Sequence, residues 1–166
     1  MNIDDDHLFH GAALIQIAEH KQFTSINALE HHGKPVRSAY KINDSIAVYL
    51  KYASKPTPAF KEYPFAFHSS NLKDLATIAS DFSKVYLGLI CVKGREICCL
   101  PYSTLLGLIR QRRVANHAIE DQYSLLVTLE KGHQMRVYMN APGRKKTFLN
   151  EPIKVSRGAF PDAIFS

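Results

Sequence analysis

The chain has 166 residues, 46% hydrophobic and 22% charged, with a formal net charge of +6. That length and balance describe one globular domain with a sizeable core rather than a repeat array or a low-complexity chain, and the basic excess favours an anionic partner such as DNA or RNA. Three cysteines, Cys91, Cys98 and Cys99, are odd in number and form no CxxC pair, which excludes a disulfide framework and a cysteine-built zinc site and predicts buried thiols in a cytoplasmic protein.

The opening MNIDDDHLFH is acidic, with no basic segment followed by an apolar run, so it does not read as a signal peptide. Asp4, Asp5 and Asp6 suit the start of a helix running from about His7 to Glu19 or His20. Leu8, Ala12 and Ile15 share one face of it, and Glu19 projects from the middle of that face. Either the helix ends there and Glu19 reaches solvent, or the carboxylate enters a polar site at the edge of the core. Residues 21–36 are polar and irregular.

Ser38–Ala53 reads as two strands joined by a tight turn at Asn43-Asp44. The second strand alternates, with Ile46, Val48, Leu50 and Tyr52 on one face and Ala47, Tyr49, Lys51 and Ala53 on the other. Pro56 and Pro58 break it, and Tyr63–His68 is expected as a third strand of the same meander. Asn71 is placed as the N-cap of a second helix through about Phe82, buried along Leu72, Leu75, Ala79 and Phe82. Lys84–Val92 is almost continuously apolar and predicts a strand buried on both faces. No run reaches the ~18 apolar residues needed to cross a bilayer, so no membrane partner is expected.

Arg95–Leu100 is the next strand, followed by a third helix ending in Arg110, Arg112 and Arg113. A last hairpin, Tyr123–Leu129 with Gln134–Asn140, precedes Arg144, Lys145 and Lys146. On one face, these two basic clusters would neutralise several phosphates, with Tyr138 and Phe148 near enough to stack on bases. The tail Phe160–Phe165 is hydrophobic and is read as a docking strand for a protein partner or a second copy. The predicted fold is α/β, three helices around a central mixed sheet, with a core over about 7–113 and an added C-terminal hairpin and tail over about 122–166.

A helix, a three-stranded meander, a second helix and a buried strand, over about His7 to Val92, resembles the PD-(D/E)XK, or restriction-endonuclease-like, superfamily. The resemblance implies a magnesium-dependent nuclease in which a helix glutamate, a strand aspartate and an acid-x-lysine pair form the site. By position these would be Glu19, Asp44 and Lys51, the two acids holding Mg2+ and the lysine activating water. Tyr49 stands where the acid two residues before the lysine is expected, and tyrosine is a poor magnesium ligand at neutral pH. The alternative reading is a non-catalytic nucleic-acid-binding or assembly module with a degenerate nuclease fold.

Overall fold

The computed structural model describes residues 1–144, 147–149 and 151–166. The first helix, α1 (Asp5–Ala18), is fixed by a capping box. The Asp4 carboxylate accepts from His7 N–H at 2.9 Å, and the His7 ring accepts from Asp4 N–H at 3.1 Å. Its buried side is His10, Ala13 and Ile17, flanked by Phe9 and Leu14. The face expected to be buried is turned outward instead: Leu8 is 57% and Ile15 62% exposed. Small Ala13 lets α1 approach the sheet closely, and the His10 ring packs edge-on to Tyr40 and Tyr52. Leu8, Ala12, Ile15 and Glu19 do share a face, but it is the solvent face.

Four strands follow. The polar stretch holds β1 (Ile26–His31), which turns through His32-Gly33, both with positive φ, into β2 (Lys34–Ile42). A turn at Asn43 and Asp44, again both left-handed, leads to β3 (Ile46–Ala53). Asn43 ties this turn down: its side-chain oxygen accepts from Thr24 N–H at 2.7 Å, and its amide donates to the Gln22 carbonyl at 2.7 Å. The meander is therefore β1–β2–β3. The strand expected as its third member, β4 (Glu62–His68), leaves for a second sheet.

Helix α2 (Ser69–Asp81) begins directly after β4, with His68 rather than Asn71 at the N-cap. It crosses over to β5 (Lys84–Cys91), which pairs parallel with β3 in register Ile46↔Lys84 through Ala53↔Cys91. Then come β6 (Glu96–Pro101), α3 (Tyr102–Asn116), β7 (Gln122–Thr128), β8 (Met135–Tyr138), β9 (Ile153–Val155) and the short α4 (Asp162–Phe165). The central sheet is mixed, in the order β1-β2-β3-β5-β6, and the second runs β4-β7-β8-β9. The fold is thus the α/β arrangement expected around a mixed sheet, with four helices among the described residues. The C-terminal hairpin is joined to the core by β4 rather than appended to it.

The alternation of β3 divides the interior. Ala47, Tyr49 and Ala53 face α2, α3 and the second sheet, with Phe65, Phe67, Leu87 and Leu125. Ile46, Val48 and Leu50 face α1 and α4, with Ile17, Ile90, Phe160 and Ile164. The tail is consequently no exposed docking strand, because Phe160 and Ile164 fill the chain's own core. His20 stacks on Phe165 at 4.2 Å and meets the Asp162 carboxylate at 3.1 Å, holding α4 against the end of α1. The three cysteines are free and buried, and burial pushes the thiols of Cys91 and Cys99 up to about 12.

Candidate functional site

The central sheet opens at one point. β2 pairs with β3 from Ile42↔Ile46 only as far as Ala39↔Tyr49. The next residue back, Ser38, has a left-handed backbone (φ 68°) and turns the chain away, so that Lys34 and Pro35 pair with β1 alone. Past Tyr49, the β2 side of β3 has no ladder partner among the described residues. The gap is a cleft of about 420 Å³. Arg37 and Ser38 line one side and Tyr49, Leu50, Lys51 and Tyr52 the other. Asp6 and His10 close it from α1, and Ser70, Asn71 and Asp74 from the start of α2.

Lys51 is the half-buried cation of this cleft. Its ammonium lies 5.1 Å from the centroid of the Phe67 ring. Among the described residues it forms no ion pair and no hydrogen bond, and burial holds its pKa below the ordinary lysine value. Tyr49, two residues earlier on the same face, is locked by α2. The Asn71 amide donates to its hydroxyl at 3.1 Å, while the Asn71 oxygen accepts from His68 N–H at 2.9 Å. Burial raises the Tyr49 pKa, so the phenol stays neutral.

The α1 side is a hydrogen-bonded group. Asp6 accepts from Arg37 at 3.4 Å and from the Tyr52 hydroxyl. His10 meets the Tyr40 hydroxyl at 3.4 Å, and burial lowers its pKa against the opposing pull of Asp6. Both aspartates of the cleft stand apart from Lys51, Asp6 being engaged by Arg37 and neither it nor Asp74 ion-pairing with the lysine.

The three expected catalytic residues do not meet. Glu19 is the exposed C-cap of α1. Asp44 sits in the β2–β3 turn, its side chain 80% exposed and 3.7 Å from Lys41. Five steps of extended strand from Ile46 carry Lys51 roughly 17 Å along β3, away from the turn that holds Asp44. Just after Glu19, the Gln22 carbonyl reaches Asn43, so both acids belong to the turn end of the sheet and Lys51 to the other. Of the three, only Lys51 lines the cleft. Among the described residues no three His, Cys, Asp or Glu side chains gather to hold a metal, and Glu19 and Asp44 do not fit the magnesium site expected of them.

The basic clusters are also divided. Arg112 is committed to structure: it pairs with Glu120 at 2.6 and 3.0 Å and donates to the Asn140 carbonyl at 2.7 Å. Arg113 packs over Tyr123, donating to its hydroxyl at 3.2 Å. Arg110 and Arg144 are exposed, and Lys145 and Lys146 lie outside the described residues. None of the described four lines the Lys51 cleft. Arg112→Ala should lower stability by about 1–2 kcal/mol once solvent screening of this partly exposed pair is allowed for. The Arg112 hydrogen bond holds the Glu120 carboxyl below its ordinary value of 4.5. Its contribution is therefore present above that value and is lost as pH falls through the lowered one. Urea melts at neutral and acid pH should show the wild-type advantage over Arg112→Ala shrinking in acid.

The residues that sequence alone does not place here are Asp6, His10, Arg37, Ser38, Asn71 and Asp74. The buried phase of α1 was available as Phe9, Ala13 and Ile17 at i, i+4, i+8, and that phase directs His10 inward. Nothing local announces the positive φ of Ser38. No family model, curated protein or solved structure matches the chain.

Proposed function

We propose that this chain is a non-catalytic nucleic-acid-binding module on a restriction-endonuclease-like scaffold, with Lys51 taking a backbone phosphate. The observation that carries the reading is Lys51 itself. It is a half-buried ammonium in a cleft between parting strands, with no carboxylate partner among the described residues. An unpaired charge held partly out of water costs stability, and a phosphate oxygen supplies the missing partner. Arg37, at the rim and 87% exposed, can swing from Asp6 to a neighbouring phosphate. The start of α2 adds the positive end of its dipole, and the net charge of +6 favours approach of a polyanion.

The order helix, three-stranded meander, crossover helix and parallel strand supports the scaffold part of the proposal. Tyr49 supports its non-catalytic part, since a neutral phenol bonded to Asn71 fills the place of the acid before Lys51. The test is binding of a labelled short duplex and of its single strand, measured with and without magnesium or manganese. The expected result is salt-sensitive binding that needs no divalent ion and no cleavage. Metal-dependent cleavage lost in Lys51→Ala would replace the module with an enzyme.

A further inference from the structure

Phe148 is an exposed aromatic residue on a fixed backbone. The residue is 45% exposed. Its main chain pairs with Asn140 in a bridge, and the neighbouring Leu149 N–H donates to the Met139 carbonyl at 3.0 Å. Beneath it, the buried Tyr138 ring stands edge-on at 4.6 Å and 72°. A large apolar ring braced in this way and left in water is poised to be covered.

The ring forms part of the wall of a cleft of about 480 Å³ that shares no described lining residue with the Lys51 cleft. Phe60 and Tyr138 give the cleft two further aromatic side chains. Among the described lining residues, Lys61, Lys131 and Arg136 supply cations, and the one carboxylate, Glu130, lies 3.6 Å from Arg136. An aromatic wall with a cationic rim matches a ligand that is planar and anionic together. A duplex cannot offer it a base face, because its bases are stacked and paired. An unpaired nucleotide can.

We propose that this second cleft takes an unpaired nucleotide, its base against Phe148 and its phosphate met by Lys61 and Arg136. The inference rests on the nucleic-acid reading of the chain and adds to it a preference for single-stranded or unwound segments. A free nucleotide carries the same chemistry, so the test has an arm for each source.

The experiment measures fluorescence anisotropy of labelled oligo-dT, alone and as its duplex with oligo-dA, with thymidine monophosphate as competitor. Wild type, Phe148→Ala, Phe148→Tyr and Lys51→Ala are compared, after circular dichroism melts establish that each is folded. Phe148→Ala should lose about tenfold in affinity for the single strand and little for the duplex, while Phe148→Tyr keeps the wild-type value. Displacement of the strand by thymidine monophosphate, lost in Phe148→Ala, would also support the site and name the free nucleotide as its ligand. Single-strand binding unchanged in Phe148→Ala but weakened in Lys51→Ala would overturn the second cleft and leave the first intact. No binding of any probe by wild type would remove both.

Discussion

Phe67→Ala should destabilise the chain by about 3–5 kcal/mol, lowering the melting temperature by roughly 6–20 °C for a domain of this size. Phe67 is fully buried on β4, where the second sheet packs against the central one, and it shares that core with Tyr49, Leu87 and Leu125. Truncation removes the ring's transfer energy and leaves a cavity between two sheets, neither of which can collapse without breaking its own ladder. The same ring lies under the Lys51 ammonium, so its loss has a second consequence. Phe67→Leu keeps most of the packing, at a cost of about 1–1.5 kcal/mol, but removes the aromatic face. Nucleic-acid affinity that changes in Phe67→Leu, measured where the protein is still folded, would show the ring acting through Lys51 rather than through stability alone.

Lys51→Ala should cost the chain about tenfold or more in affinity for nucleic acid. A charge-assisted hydrogen bond to phosphate contributes about 1.5–3 kcal/mol, and each 1.4 kcal/mol is a factor of ten. Losing one phosphate contact should also reduce the slope of log affinity against log salt by about 0.7–0.9. The two effects belong together. A fall in affinity with an unchanged slope would point to a disturbed fold instead. The exposed pair Glu19 and Asp44 serves as the contrast, since Glu19→Gln and Asp44→Asn should leave both quantities at the wild-type level.

The elements that sequence reads well are those whose pattern is carried by burial. The alternation of β3 places Lys51 and Tyr49 on one face and Val48 and Leu50 on the other, as found. The apolar run of β5 does mark a central strand, and the Asn43-Asp44 turn falls where its residues suggest. The elements that sequence misses are set by partners distant in the chain. β1 is a polar edge strand with only Leu29 buried, so it carries no hydrophobic alternation to detect. β4 has strand residues, but its sheet is chosen by β7, some 60 residues away. The face of α1 turns on where small Ala13 can approach the sheet, and the apolar Leu8 and Ile15 misdirect a reading based on hydropathy alone.

The site follows the same division. Lys51 is legible because a lysine near the end of an otherwise buried strand has few places to send its charge. Its surroundings are not, because the cleft exists only where β2 turns away at Ser38, and that departure is a property of the sheet. Asp44 attracts attention as a carboxylate beside a core strand, yet its left-handed backbone and its pairing with Lys41 make it a turn residue.

The central claim is that the Lys51 ammonium is a phosphate receptor. The most direct measurement is the pH titration of its ε-methylene signals by NMR, in the free protein and with a saturating oligonucleotide. Free Lys51 should titrate below the ordinary lysine value, because burial disfavours its charged form. In that window the unfolded chain binds the additional proton, so the stability of the free protein rises with pH. A bound phosphate favours the charged form, so the titration should move upward, and affinity should weaken as pH rises through the lower, free value. A Lys51 titration that is unmoved by saturating oligonucleotide, while the protein binds it, would contradict the account.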